Sequence, residues 1–324
     1  MYFTLKLPCT NETGQVYPET LTSWYTLILE GKRLMSFQKR LASNEFAVLA
    51  EIHTPKGINI TKIVTDAKRL KGRIDAVVVP GMDNGIMRMS ALAGGALLQQ
   101  QGLEAIIHMY CRDSNRMALQ GDALAAHVLG IQNIIVADSA DMSESDHNEA
   151  MTVNDLNEIE LIKALVTLQN GKDLSGFDLD GSPDYLIGCS LPSIVDDQQL
   201  EAALDTARQK IQAGARYVIT PPVFDVTSWE PTLKKIKSLD VPVIASVFLI
   251  KSLAIAQYIA NSEPGANIQP EMISRIRKSS NRDQEGVAIA GETISALKNS
   301  CQGVLIQTLG WEHKLPGILD IAKL

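Results

Sequence analysis

From Phe46 to its carboxyl end the chain alternates two hydrophobic patterns. Short apolar runs closed by Gly, Pro, Asn or Asp read as strands buried on both faces. Longer stretches with apolar residues every three or four positions read as helices. The first pattern predicts strands at Phe46–Ile52, Ala76–Val79, Ala105–Tyr110, Asn133–Ala137, Tyr185–Cys189, Tyr217–Thr220, Val243–Phe248 and Gly303–Thr308. The second predicts helices at Ile60–Leu70, Met87–Gln100, Ser114–Leu129, Val153–Leu168, Gln198–Ala213, Ser228–Lys237, Leu253–Ala260, Pro270–Lys278 and Gln284–Asn299. Met1 to about Asn44 is less regular, with Pro8, Gly14, Pro18 and a short helical pattern over Leu34–Leu41. It is expected to be an N-terminal extension packed on the outside, which divides the chain into residues 1–44 and 45–324.

Eight strand–helix units over about 280 residues match a (β/α)8 TIM barrel with an N-terminal extension. A doubly wound open sheet is disfavoured because no G-x-G-x-x-G follows the first strand. Composition narrows the function classes. A net charge of −7 and the lack of a basic run argue against nucleic acid. No apolar segment has the length to span a bilayer, and the first residues lack a signal-peptide layout. Cys9, Cys111, Cys189 and Cys301 form no CxxC pair, and the five histidines form no HExxH. Neither disulfides nor a metal site is expected, and a reducing cytoplasm fits best.

In a barrel, chemistry collects at the carboxyl ends of the strands. This chain places Glu51, His53, Pro80, His108, Cys111, Asp138, Asp141, Cys189, Ser190, Pro221, Asp225 and Gln307 there. Glu51 ends an apolar run, a costly place for a carboxylate without a task or a partner. Glu51, Asp141 and His108 around one mouth would suit proton transfer. The plain alternatives are a strand-end acid held by Lys or Arg, a core histidine at His108, and a solvated acidic loop around Asp141. Arg112 and Asp113 could simply cap the next helix.

Several segments together resemble the methylenetetrahydrofolate reductase family, flavoprotein barrels that interconvert methylene- and methyl-tetrahydrofolate. They are AEIHTPKG, RMS at Arg88–Ser90, EAIIHMYCRDSNRMALQ, AGA at Ala213–Ala215, ITPPVFD at Ile219–Asp225, SEPGANIQPEMISRI and GVLIQTLGWE. The last is similar to the shorter reductases of acetogenic and related anaerobic bacteria. The resemblance implies that Glu51 is the general acid that protonates the folate nitrogen as the methylene bridge opens. It implies that Asp141 lies near flavin and pterin, that His108 binds flavin, and that Lys210 meets the flavin phosphate. Asp113, Asn115 and Pro80 would support the flavin; Pro221 and Gln307 would face the folate. The chain departs from the family where a Gln usually contacts folate, which is here Pro221, and at Ala140-Asp141 and Ser246–Leu249.

The function expected is a flavin-dependent (FAD ahead of FMN) interconversion of methylene- and methyl-tetrahydrofolate. A cysteine-rich iron–sulfur or zinc partner subunit and an oligomeric state are further expectations of the resemblance. The alternative is a non-redox folate-binding or methyl-transfer partner, or a structural subunit, on the same scaffold.

Overall fold

The computed structural model describes residues 36–263 and 265–324. Eight parallel strands close into a barrel in chain order, with β8 pairing back onto β1. They are β1 (Ala47–Glu51), β2 (Ala76–Val79), β3 (Ala105–Met109), β4 (Asn133–Val136), β5 (Leu186–Ser190), β6 (Tyr217–Pro222), β7 (Val243–Phe248) and β8 (Gly303–Gln307). All eight expected strands are present, each displaced by no more than a residue or two at its ends. The TIM barrel is thus the fold.

Helix starts shift further, because capping side chains decide them. Ser90 accepts the Ala93 N–H and starts its helix at Ala91, not Met87. Asn157 and Glu160 form a reciprocal capping box that starts the next-but-one helix at Glu158, not Val153. Among the described residues no helix is long and apolar enough to cross a membrane.

Alternation along the strands sorts the core into two layers. Ala47, Leu49, Ala76, Val78, Ile106, Ile135, Tyr217, Ile219, Ile244 and Leu305 form one buried cluster inside the barrel. Their neighbours, such as Val48, Ala50, Val77 and Ile107, pack outward against the helices. The same alternation brings Glu51, Pro80, His108, Pro221 and Gln307 into the inward-facing register at the carboxyl ends.

The amino end of the barrel is closed by the short helix Phe37–Ala42. Phe37 is fully buried in the inner cluster, its ring 5.3 Å from Tyr217 and edge-on to it. The Phe37 N–H donates to Glu104 Oε2 at 3.0 Å, just ahead of β3, and Asn133 Nδ2 donates to Glu104 Oε1 at 2.8 Å. This part of the expected extension therefore plugs the barrel rather than packing outside it. Its apolar positions, Phe37 and Leu41, are both buried in that inner cluster. The compact unit begins at Phe37, not Glu45; the rest of the extension, residues 1–35, lies outside the described residues.

Candidate functional site

The mouth is built around Glu51, which is 5% exposed at the end of β1. His53 Nε2 lies 2.9 Å from Glu51 Oε1, and Gln307 Nε2 donates to Oε2 at 2.9 Å from the end of β8. The β1–β8 ladder fixes this meeting, since Ala50 pairs with Ile306. Each carboxylate oxygen thus has a nitrogen partner, the satisfaction that a buried acid requires.

On β3, His108 turns inward and its Nδ1 lies 3.1 Å from Asp83 Oδ2. Burial alone would lower the imidazole's pKa, but the Asp83 charge and hydrogen bond, with the Glu51 charge, raise it above its ordinary value. Burial alone would raise Asp83, but the His108 charge and hydrogen bond hold it below the usual carboxylate range, with a smaller contribution from His53. Both shifts favour the charged forms, imidazolium and carboxylate. Asp83 lies in the loop after β2 and escapes a reading that ends at Pro80. Its signal was an acid three residues past an apolar run.

Arg112, 4% exposed, holds the surrounding loops. It donates to Asp113 through Nε at 2.6 Å and Nη2 at 2.9 Å, to Met82 O at 2.7 Å and to Ala140 O at 2.8 Å. One guanidinium thereby joins the loops after β2, β3 and β4, a use of its fixed fork that a lysine could not match. Asp113 also accepts from the Tyr110 hydroxyl at 2.9 Å. Asn115 caps the helix Arg116–Val128 by accepting from Met117 and Ala118 N–H. Asp225 likewise caps the helix Val226–Lys237. Asp113 and Asn115 thus hold the frame of the mouth.

Asp141 stands on the exposed rim. Its carboxylate accepts from the Ser143 hydroxyl at 2.6 Å and the Ser143 N–H at 2.8 Å, and these bonds lower its pKa. Glu51 and His108 are brought together; Asp141 forms no hydrogen bond with either. Pro221 sits in a β6 irregularity, where the register with β7 shifts between Ile219 and Pro222. Proline offers no N–H to the ladder. At this irregularity the Thr220 side chain joins the pairing with β7, its hydroxyl accepting the Ser246 N–H at 3.1 Å.

A cavity of about 360 Å³ opens beside β3 and β4, lined by Cys111, Ala137, Asp138, Asn154, Glu158 and Glu160 among others. Lys210, 5% exposed, is ion-paired with Glu158 and reaches Ser190 O at 3.5 Å. Burial raises the Glu158 pKa and Lys210 opposes that, while Asp138 adds to it. Burial pushes the Cys111 thiol up to about 12, so it is no nucleophile at neutral pH. Tested against a flavin, this region does not fit as it stands. A phosphate needs a free cation or a nest of N–H groups, whereas Lys210 is already neutralised and the cavity wall is acidic.

The fold is shared by solved structures of low identity. A protein from Clostridium thermocellum, described as binding two copies of 5-methyl-5,6,7,8-tetrahydrofolic acid, is 14% identical with a TM-score of 0.61, covering 90% of this chain and 98% of its own. A 2,3-dimethylmalate lyase of the PEP mutase/isocitrate lyase superfamily is 9% identical with a TM-score of 0.51, covering 88% of this chain and 80% of its own. At such identities the likeness shows the barrel alone. No curated protein matches the chain in sequence. The family model described as methylenetetrahydrofolate reductase matches residues 36–322, nearly all of the described barrel, and the chain belongs to that family.

Proposed function

We propose that the barrel mouth binds a tetrahydrofolate carrying a one-carbon unit and interconverts its methylene and methyl forms, with Glu51 as the proton-transfer group. The observation that carries this reading is the Glu51 carboxyl, buried at the mouth between His53 and Gln307. Opening the methylene bridge needs a proton on the departing nitrogen, and a water-poor carboxyl beside an imidazole is suited to deliver it. The His108–Asp83 pair faces the same mouth, and the Glu51 charge is among those that favour the protonated imidazole. The folate ligand of the Clostridium thermocellum protein and the family's oxidoreductase activity both support the reading.

Reduction also needs a two-electron donor. A flavin, FAD ahead of FMN, is the donor that family membership suggests. To bind at Lys210 it would have to part that amine from Glu158, or else seat its phosphate elsewhere. That same ion pair favours a second reading, a folate-binding or methyl-transfer protein that holds no flavin.

One experiment separates the two. The protein is purified without oxygen, its visible spectrum is recorded, and 5-methyltetrahydrofolate is added while binding heat is measured. Flavin bands that bleach on addition support the reductase. Binding heat from a colourless protein that cannot be loaded with either flavin supports the second reading. No binding at all would remove folate from both.

A further inference from the structure

Among the described residues, two buried acceptor atoms at the mouth meet no hydrogen-bond partner, His53 Nδ1 and Asp83 Oδ1, and one buried donor nearby, Arg88 Nε, is also unmatched. Leaving such atoms unpaired is costly, so native proteins keep few of them without a use. Neither group is free to turn away. Asp83 is held through its other oxygen by His108 at 3.1 Å, and His53 through its other nitrogen by Glu51 at 2.9 Å.

The chemistry each atom offers follows from its neighbours. With Glu51 ionised, the state it has once its proton is delivered and the methyl form is bound, Oε2 accepts from Gln307 and His53, with its proton on Nε2, donates to Oε1. That tautomer leaves a lone pair on Nδ1. Asp83 Oδ1 belongs to a carboxylate and is an acceptor as well. Both residues are held by inward-facing strand-end partners, His53 by Glu51 of β1 and Asp83 by His108 of β3. The mouth therefore offers two acceptors, one of them anionic, beside Glu51.

Two acceptors call for a ligand edge with two donors. The amino-pyrimidinone ring of a reduced pterin has such an edge, N3–H beside the 2-amino group. A flavin's pyrimidine edge alternates C=O, N–H and C=O, and would set carbonyl oxygens against these lone pairs. Asp141 is the carboxylate that the resemblance assigns near the pterin, but it is exposed and bonded to Ser143. We propose that His53 and Asp83, rather than Asp141, form the acceptor pair that reads the N3–H and 2-amino edge of a reduced pterin. The proposal rests on the folate reading above and names the residues that select the ring.

The test is equilibrium binding under argon of 5-methyltetrahydrofolate and of its 2-desamino analogue. The unmodified protein, His53→Phe, Asp83→Asn and Asp141→Asn are compared. A hydrogen bond to a charged group corresponds to about a 10- to 100-fold change in affinity. The desamino analogue should bind the unmodified protein weaker by about that factor. His53→Phe and Asp83→Asn should lose affinity for the parent ligand and bind parent and analogue within about threefold of each other. Asp141→Asn should keep both the parent affinity and the penalty for the analogue. His53→Phe leaves the His108–Asp83 pair in place, so it carries the test if Asp83→Asn fails to fold. A penalty that persists undiminished in His53→Phe and Asp83→Asn, or that disappears in Asp141→Asn, overturns the assignment. Equal binding of both ligands by the unmodified protein overturns it too, with folate binding intact. If neither ligand binds, the folate reading falls and takes this assignment with it.

Discussion

The two ends of the barrel interior are made by the same strands and the same alternation, yet they are finished differently. At the amino end Phe37, Tyr217, Ala47, Ala76 and Leu305 fill the lumen with apolar surface, and Glu104 accepts both from Phe37 N–H and from Asn133. The Tyr217 hydroxyl is buried there without a hydrogen-bond partner among the described residues. At the carboxyl end the inward positions carry Glu51, His108 and Gln307, with His53 and Asp83 beside them, and two acceptors stay unmatched. The closed end gains stability from packing. The open end keeps polar groups that packing leaves unmatched, in line with a barrel that separates stability from function.

The comparison predicts that a change at one end leaves the property of the other end in place. Phe37→Ala should have the largest effect, lowering stability by about 3–5 kcal/mol in urea unfolding through the cavity it leaves. Affinity for 5-methyltetrahydrofolate should hold under conditions where the variant is folded. Loss of affinity in the folded variant would mean that the ends are coupled. Glu51→Gln should do the reverse, lowering methylene–methyl interconversion by about 10²- to 10⁴-fold with folate still bound. Unchanged turnover would remove Glu51 from proton transfer.

A smaller effect appears in the pH dependence of stability. The His108 pKa is raised on folding, so its contribution is complete below about pH 6.5 and is lost as pH rises through the folded value. The Asp83 pKa is lowered, so its contribution is complete above about pH 4 and is lost as pH falls further. Stability credited to the pair should therefore be greatest between these limits. His108→Gln should flatten the decline above pH 6.5, and a decline of the same size in that variant would show that another group causes it. The smallest effect belongs to the frame. Asn115→Ala should cost about 1 kcal/mol, the usual value of a lost helix cap, with ligand affinity unchanged.

Much of this was legible in the residues. Apolar runs and helical spacing mark eight strands because burial on both faces demands continuous hydrophobicity, and the closed order β1 to β8 follows from the count. Glu51 announced itself as an acid at the end of such a run, and its register on β1 put it at the mouth. His108 and Gln307 reached the mouth by the same logic. Asn115 and Asp113 were also visible as residues of that region, but their partners were not, since capping and an arginine fork depend on loop geometry.

Sequence by itself thus determined the barrel, its family and the inward residues at the strand ends, because strand periodicity is a local property of the chain. Tertiary structure alone decided that Phe37 fills the barrel floor, that Glu158 neutralises Lys210, that Asp141 turns to Ser143, and that Asp83 and His53 each keep an acceptor unmatched. Each of these joins positions far apart in the chain or fixes the direction of one side chain. Neither leaves a pattern in spacing; both are set by the packing of loops against one another.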